Sequence, residues 1–267
     1  MIELNPGDRL KFIGCEVLYR EACSLAACCP HQVDVEFLRK GLHDLPTAEM
    51  RGDLQRVIDA AEAPGAQGDR PYKAILLGYA RCSDGVVGLQ ARSIPLVIPK
   101  AHDCITLFFG SRQAYQEYFD AHVGTYFQTS GWVERNNPRI PGRQGVNDRL
   151  GLGRSLAELT EQYGADNAQF ILETLGDGLQ NYRRACYLQM GTMDEAELIA
   201  AAQKRAAERG WEFELRRGDW ALLRRLFEGP WDDDFLVVPP GAAIAARNNA
   251  EILGLNGPLK MGGVPCK

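Results

Sequence analysis

Three short apolar runs, each delivering a cysteine at or just beyond its exit, constrain this chain more than any other feature. They are Leu10-Lys-Phe-Ile-Gly-Cys15, Lys73-Ala-Ile-Leu-Leu-Gly-Tyr-Ala-Arg-Cys82 and Ile94-Pro-Leu-Val-Ile-Pro-Lys-Ala-His-Asp-Cys104. Short apolar runs bounded by glycine or proline read as buried strands. If the three lie parallel in one sheet, Cys15, Cys82 and Cys104 meet at its carboxyl edge, the crevice where open α/β sheets take their ligands. The third run also brings His102 and Asp103 to that edge.

The rest of the chain alternates in the same sense. Val33 to Leu38 reads as a strand, and Thr47 to Ala61 as a helix with Leu54, Val57 and Ile58 on one side. Ser111 is placed to cap a following helix, and Thr125 to Thr129 reads as another strand. Glu134 to Gly153 is polar, with prolines at 138 and 141 and arginines at 135, 139, 143 and 149, so it is either a lid over an anionic substrate or a solvated crossover. Beyond it, Ser155-Leu-Ala-Glu158 forms a capping box, and a second helix starts near Asp166 with Ile171, Leu175, Leu179 and Tyr182 in line. Strands at Ala185–Met190, Trp211–Leu215 and Phe235–Val238 then alternate with helices at Asp194–Arg209 and Asp219–Phe227. Strand following helix in this way predicts an α/β fold, a largely parallel sheet with helices on both faces, built as one domain or as two α/β lobes. The division that follows is residues 1–133 as an N-terminal lobe carrying the cysteines, 134–153 as a loop or crossover, 154–241 as a C-terminal lobe, and 242–267 as a tail with little pattern.

Composition removes several classes of function. A net charge of -5 provides no basic footprint for a phosphate backbone, so nucleic acid is not the expected partner. The start, Met1-Ile-Glu-Leu-Asn-Pro-Gly-Asp-Arg9, lacks the basic and apolar regions of an export signal, and no apolar run is long enough to span a bilayer. A cytoplasmic location is the expectation. There, eight cysteines are buried hydrophobes, metal ligands or reactive thiols rather than a disulfide framework.

Among them Cys15, Cys82 and Cys104 carry the chemistry. Cys15 sits where a strand turns into a helix, and the positive end of a helix dipole favours a thiolate. Cys23 and Cys28 do not share a helix face, so Cys23 and the Cys28-Cys29-Pro30-His31 run read as packing. Glycines at 78, 85 and 88 let the backbone turn tightly around Cys82 without forming a dinucleotide fingerprint. Three thiolates with one open position suit catalytic Zn2+ or a [4Fe-4S] cluster, with His102 and Asp103 completing or orienting the shell and acting on substrate. His43 is a candidate supporting residue behind them. Two other classes stay open: a metal-free enzyme using Cys104 or Cys82 as nucleophile with His102 or His43 as base, and a non-enzymatic metallochaperone or accessory protein.

These segments resemble an uncharacterised family, number 1638 among the catalogued domains of unknown function. The residues that carry the likeness are Phe12-Ile-Gly-Cys15, Leu42-His-Asp-Leu-Pro46, Leu77-Gly-Tyr-Ala-Arg-Cys82, Val97-Ile-Pro-Lys-Ala-His-Asp-Cys-Ile105, Gly110-Ser-Arg112, Gly131-Trp132, Asn181-Tyr182 and Phe235-Leu-Val-Val-Pro-Pro240. Arg112 joins His43 as a supporting residue. At Ala80-Arg81-Cys82-Ser83 the chain departs from a family pattern that looks like Gly-Leu-Cys-Gly. The site is expected to act on a small-molecule substrate, and the resemblance implies an association with corrinoid-linked methyl transfer, with a corrinoid or methyltransferase protein as partner. The plan of three cysteines on separated loops is similar to that of quinolinate synthase, where they hold an iron–sulfur cluster.

Overall fold

The computed structural model describes residues 2–63, 65–66, 68, 70–135, 160–161, 164–165, 167–168, 179 and 181–256. The Ser155–Glu158 capping box, Ile171, Leu175, the arginines at 139, 143 and 149, and Cys266 lie outside them.

The chain opens with β1 (Arg9–Cys15), a 3-10 turn (Glu16–Leu18), α1 (Tyr19–Cys28) and β2 (Gln32–Leu38). A 3-10 turn at Leu42–Asp44, α2 (Thr47–Glu62), β3 (Ala74–Gly78), a turn at Cys82–Asp84 and β4 (Leu96–Pro99) follow. Next come α3 (Ile105–Phe108), α4 (Arg112–Ala121), β5 (Thr125–Gln128) and α5 (Ser130–Glu134). The last part holds β6 (Arg184–Gln189), α6 (Ala196–Glu208), β7 (Glu212–Arg217), α7 (Ala221–Glu228), β8 (Phe235–Val238), β9 (Ala243–Ala246) and β10 (Leu253–Asn256).

The fold is α/β around a mostly parallel sheet, in the order β2-β1-β3-β4-β8, with only β8 antiparallel. Every residue of β3 and β4 is buried, so both faces of the sheet centre are covered, which is why these strands are continuous apolar runs. A second parallel sheet has the order β5-β6-β7. Among the described residues no helix is long and apolar enough to cross a membrane.

Chain order does not divide the two sheets at the expected boundaries. β5, expected in the N-terminal lobe, pairs with β6, and β8, expected in the C-terminal lobe, returns to pair with β4 from Leu96↔Val238 to Pro99↔Phe235. Period and length show that a run is a strand, but its partner is chosen by which edge can bury it. The segment expected to be a patternless tail forms the β9–β10 hairpin, stitched to the 88–91 segment through Gly88 N–H to the Ile244 carbonyl at 2.8 Å and Ile244 N–H to the Leu89 carbonyl at 2.9 Å. Its four-residue strands, Ala-Ile-Ala-Ala and Leu-Gly-Leu-Asn, are too short and too poor in β-branched residues to announce themselves.

The sheet is tightest where β1 and β3 end. Gly14 pairs with Gly78, and the Phe12 ring lies over both; a Cβ added at Gly78 would fall 2.3 Å from Phe12 Cζ and 3.1 Å from Gly14 Cα. Phe12 in turn stacks on Phe227 of α7 with ring centroids 4.9 Å apart. The two sheets meet through α5, whose Gly131 sits so close to the turn after β1 that a Cβ would lie 1.9 Å from the Val17 carbonyl oxygen.

Near this junction the carboxyl of Glu21 on α1 is fully buried and has no hydrogen-bond partner. Burial, reinforced by the nearby Glu195 carboxylate, pushes Glu21 up to about 7. Glu195 is itself buried but well held, accepting from Tyr187 Oη and from Gly191 N–H, each at 2.9 Å.

Two outcomes follow. Gly78→Ala forces the Phe12 ring or the β1 backbone to move and lowers unfolding free energy by ~1–3 kcal/mol in urea titrations. Because Glu21 keeps its proton longer when folded than its ordinary 4.5 allows, stability falls as pH rises from 4.5 through about 7 and then levels. The loss is on the order of 3 kcal/mol, and Glu21→Gln flattens the difference between unfolding curves at about pH 5 and about pH 8.

Candidate functional site

Strand order reverses direction between β1 and β3, since β2 lies to one side of this pair and β4 to the other. In open α/β sheets such a reversal marks where ligands are taken, beyond the carboxyl ends of the strands. The predicted cysteines lie at or just beyond these strand ends. Cys15 is the last residue of β1, and the loops leaving β3 and β4, which carry Cys82 and Cys104, are joined by two backbone bonds. Arg81 N–H donates to the Ala101 carbonyl at 2.9 Å and Cys82 N–H to the His102 carbonyl at 3.1 Å.

The Cys82 turn is held in an unusual backbone state. Cys82, Ser83 and Asp84 have φ of 25°, 54° and 59°, three successive non-glycine residues in the left-handed region. Neighbours over-determine the turn: Thr47 Oγ1 donates to the Ser83 carbonyl at 3.1 Å, Arg81 pairs with Asp84, and Gly85 leaves room for Met50, whose Sδ would be 2.1 Å from an added Cβ. Left-handed backbone outside glycine gathers at functional sites because only a rigid surrounding maintains it. At Ser83 the positive φ is one that glycine adopts without steric cost.

Cys104 is fixed differently. Asp103 Oδ1 accepts from the N–H groups of Ile105 at 3.0 Å and Thr106 at 3.3 Å, and its Oδ2 accepts from Tyr115 Oη at 2.5 Å. Asp103 therefore secures the turn that presents Cys104. His102 contributes its carbonyl to the Cys82 loop, while its side chain is exposed.

Cys15 is buried, and Cys82 and Cys104 are half-buried residues with shielded thiols. Burial pushes Cys15 up to about 12, with the Cys82 and Glu16 charges acting in the same direction and Lys40 opposing. Burial and the Asp103 charge push Cys82 up to about 11. Cys104 is held well above the ordinary thiol range by burial, then by Cys82, Cys15 and Asp103. This corrects the expectation that a helix start makes Cys15 easy to ionise. The segment after it is a 3-10 turn, and desolvation outweighs any dipole.

The sequence reasoning missed Tyr79, directly after β3. It is 3% exposed, its hydroxyl has no hydrogen-bond partner, and Cys15, Cys82 and Glu16 all act on it electrostatically. Leaving a buried hydroxyl unbonded costs ~1–3 kcal/mol. Tyr79 belongs to the Leu77–Cys82 segment singled out in the sequence, but that pattern carries no sign of an unpartnered hydroxyl.

A half-buried rim links Cys15 to the second sheet. Glu16 Oε1 accepts from Lys40 N–H at 2.8 Å, and Arg135 lies 3.8 Å from Glu16 Oε2 and over the Tyr19 ring at 4.6 Å. Lys40 Nζ lies 4.0 Å from the Trp132 ring centroid and donates to the Trp132 carbonyl at 3.1 Å. His43 stacks on the same indole with centroids 6.1 Å apart. Arg112 instead bonds the Asp233 carbonyl at 3.5 Å and the Ala250 carbonyl, and pairs with Asp234 at 3.7 Å, tying α4 to the segments around β8 and the hairpin.

Cys23 and Cys29 are partly buried, Cys28 is exposed, and Cys29 Sγ bonds the His31 carbonyl at 3.3 Å. Among the described residues, no three His, Cys, Asp or Glu side chains are gathered closely enough to hold a metal ion as they stand. The chemistry of the three thiols at these strand ends is nevertheless of the soft-donor type that zinc and iron–sulfur centres take.

Fold and site together define an α/β protein with a mostly parallel main sheet and three cysteines at or beyond the strand ends where its strand order reverses. The chain belongs to the family described as Protein of unknown function (DUF1638), whose model matches residues 37–227. That span includes Cys82 and Cys104 and leaves out Cys15. No curated protein and no solved structure matches the chain.

Ser83→Gly relieves a left-handed conformation that costs an L-residue ~1–2 kcal/mol, offset by the ~0.5–1 kcal/mol of chain entropy that glycine loses on folding. The variant unfolds at a higher temperature, by an amount equivalent to up to ~1 kcal/mol, as scanning calorimetry will read.

Proposed function

We propose that this protein is a metalloenzyme in which Cys15, Cys82 and Cys104 hold Zn2+ or a [4Fe-4S] cluster with one position left for a small-molecule substrate. The observation that carries this reading is that three cysteines lie at or just beyond the carboxyl ends of three parallel strands, near enough that the charges of Cys82 and Cys15 both oppose ionisation of Cys104. Soft cations stabilise thiolates that burial alone disfavours, and binding couples their deprotonation to the site. When bound, the centre supplies Lewis-acid chemistry, or redox chemistry if it is a cluster.

The chain's own residues hold the site in shape. Asp103 and Tyr115 fix the Cys104 turn, the His102 carbonyl ties it to Cys82, and the exposed His102 imidazole is available for proton exchange with a substrate. Corrinoid-linked methyl metabolism is the setting that the family resemblance favours, and a corrinoid or methyltransferase protein is the partner it implies. The cysteine-nucleophile reading has less support, because an attacking thiol needs a lowered pKa and these are raised.

Protein purified without oxygen should contain iron with acid-labile sulfide, or zinc without sulfide. Cys15→Ala, Cys82→Ala and Cys104→Ala should each lose at least about tenfold in metal affinity, whereas Cys23→Ala keeps it. Folded, reduced wild-type protein containing neither metal, or equal retention in all four variants, overturns the assignment.

A further inference from the structure

Helix α2 turns one row of side chains toward the segment that follows the Cys82 turn. Ala48, Arg51, Gly52 and Gln55 recur at spacings of three and four, so they lie together along the helix. Opposite them Gly88, Gln90 and Arg92 recur at spacings of two, the period of one face of an extended segment. Between the two rows lies an open groove of about 260 Å³. Its small residues leave the space, and two guanidinium groups and two carboxamides supply the polar lining, with no carboxylate among them.

Both walls are fixed. Gln55 Oε1 accepts from Gln90 N–H at 2.9 Å, and Gln55 Nε2 donates to the Gln90 carbonyl at 3.2 Å and to Asp59 Oδ1 at 2.7 Å. The same segment is bonded to the residues before β9, with Ala91 N–H to the Ala242 carbonyl at 3.1 Å and Gly241 N–H to the Ala91 carbonyl at 2.8 Å. Arg92 donates from Nε to Asp59 Oδ1 at 3.1 Å and from Nη1 to Gln90 Oε1. Arg51 is held more loosely. It is half-buried, forms no ion pair among the described residues, and donates one long bond from Nη1 to the Val87 carbonyl at 3.4 Å. Gly88 makes room for it, with φ of +91° and an added Cβ only 3.1 Å from Arg51 Cδ. A guanidinium partly removed from water without a counter-charge is costly until an anion reaches it.

We propose that this groove is a binding site for a phosphate-bearing small molecule, whose phosphoryl oxygens are taken by Arg51 with help from Arg92. A carboxylate is satisfied by a single guanidinium fork, whereas a phosphate presents three acceptor oxygens and a higher charge, which suits guanidinium groups on facing walls. The groove involves none of the cysteines, so the site stands or falls apart from the metal reading.

The experiment titrates wild type, Arg51→Gln and Arg92→Gln with inorganic phosphate by calorimetry at fixed pH and ionic strength. Chloride and acetate serve as comparison titrants, and melting is recorded with and without phosphate. Phosphate is expected to bind wild type in the millimolar range and to raise its Tm, with acetate at least about tenfold weaker. Arg51→Gln should lose at least about tenfold in phosphate affinity, and Arg92→Gln should lose less, because Asp59 already shares that guanidinium. Without phosphate, Arg51→Gln should melt no lower than wild type, since it has no ion pair to lose. Phosphate that does no more than chloride at equal ionic strength overturns the site, as does unchanged affinity in Arg51→Gln. Acetate bound as tightly as phosphate overturns the ligand class. Should Arg51→Gln fail to fold, the arginine is structural and Arg92→Gln decides the site, which unchanged phosphate affinity in that variant overturns.

Discussion

The approach of β1 to β3 at Gly14 and Gly78 is the constraint on which the carboxyl edge depends. Phe12 lies across both glycines and stacks on Phe227, so helix α7 is pressed onto the sheet where the strands end. A side chain at either glycine would displace the ring. Immediately beyond this contact the chain leaves as Cys15 on one strand and as Tyr79 on the other.

The second sheet supplies the far wall. Gly131 rests on the Val17 carbonyl, and Trp132 next to it receives the Lys40 side chain, so the segment after β5 closes over the turn after β1. Glu16 is the pivot of this contact, binding the Lys40 backbone and facing Arg135. Glu21, on the following helix, is buried without compensation. The junction thus combines one carboxylate that is well held with another that costs stability when charged, a balance that depends on both sheets.

The sequence was most informative where a single chemical habit decides the outcome. Apolar runs at 10–15 and 73–78 became strands because their burial on both faces leaves few alternatives, and Ser111 became a cap because its Oγ reaches Ala114 N–H at 3.3 Å. That Cys15 and the loops carrying Cys82 and Cys104 leave one edge of the main sheet was legible because parallel strands point their exits the same way. Less legible were features set by partners distant in the chain. The return of β8 to β4, the hairpin at 243–256 and the missing bond at Tyr79 depend on which surfaces remain once everything else is placed. The acidity of Cys15 was misread because a local dipole can be inferred from a motif, whereas desolvation belongs to the assembled crevice.

The return of β8 also orders events during synthesis. β4 carries one of the three thiol loops, yet the strand that covers its outer edge emerges only after the whole second sheet has been made. At ribosomal speed that interval is on the order of ten seconds, during which a nascent chain presents an unpaired apolar edge. Pro95 and Pro99 bracket that edge, and a proline cannot donate to a foreign strand. The same residues that keep β4 short in the finished sheet therefore act as a guard against mispairing until Phe235–Val238 arrives.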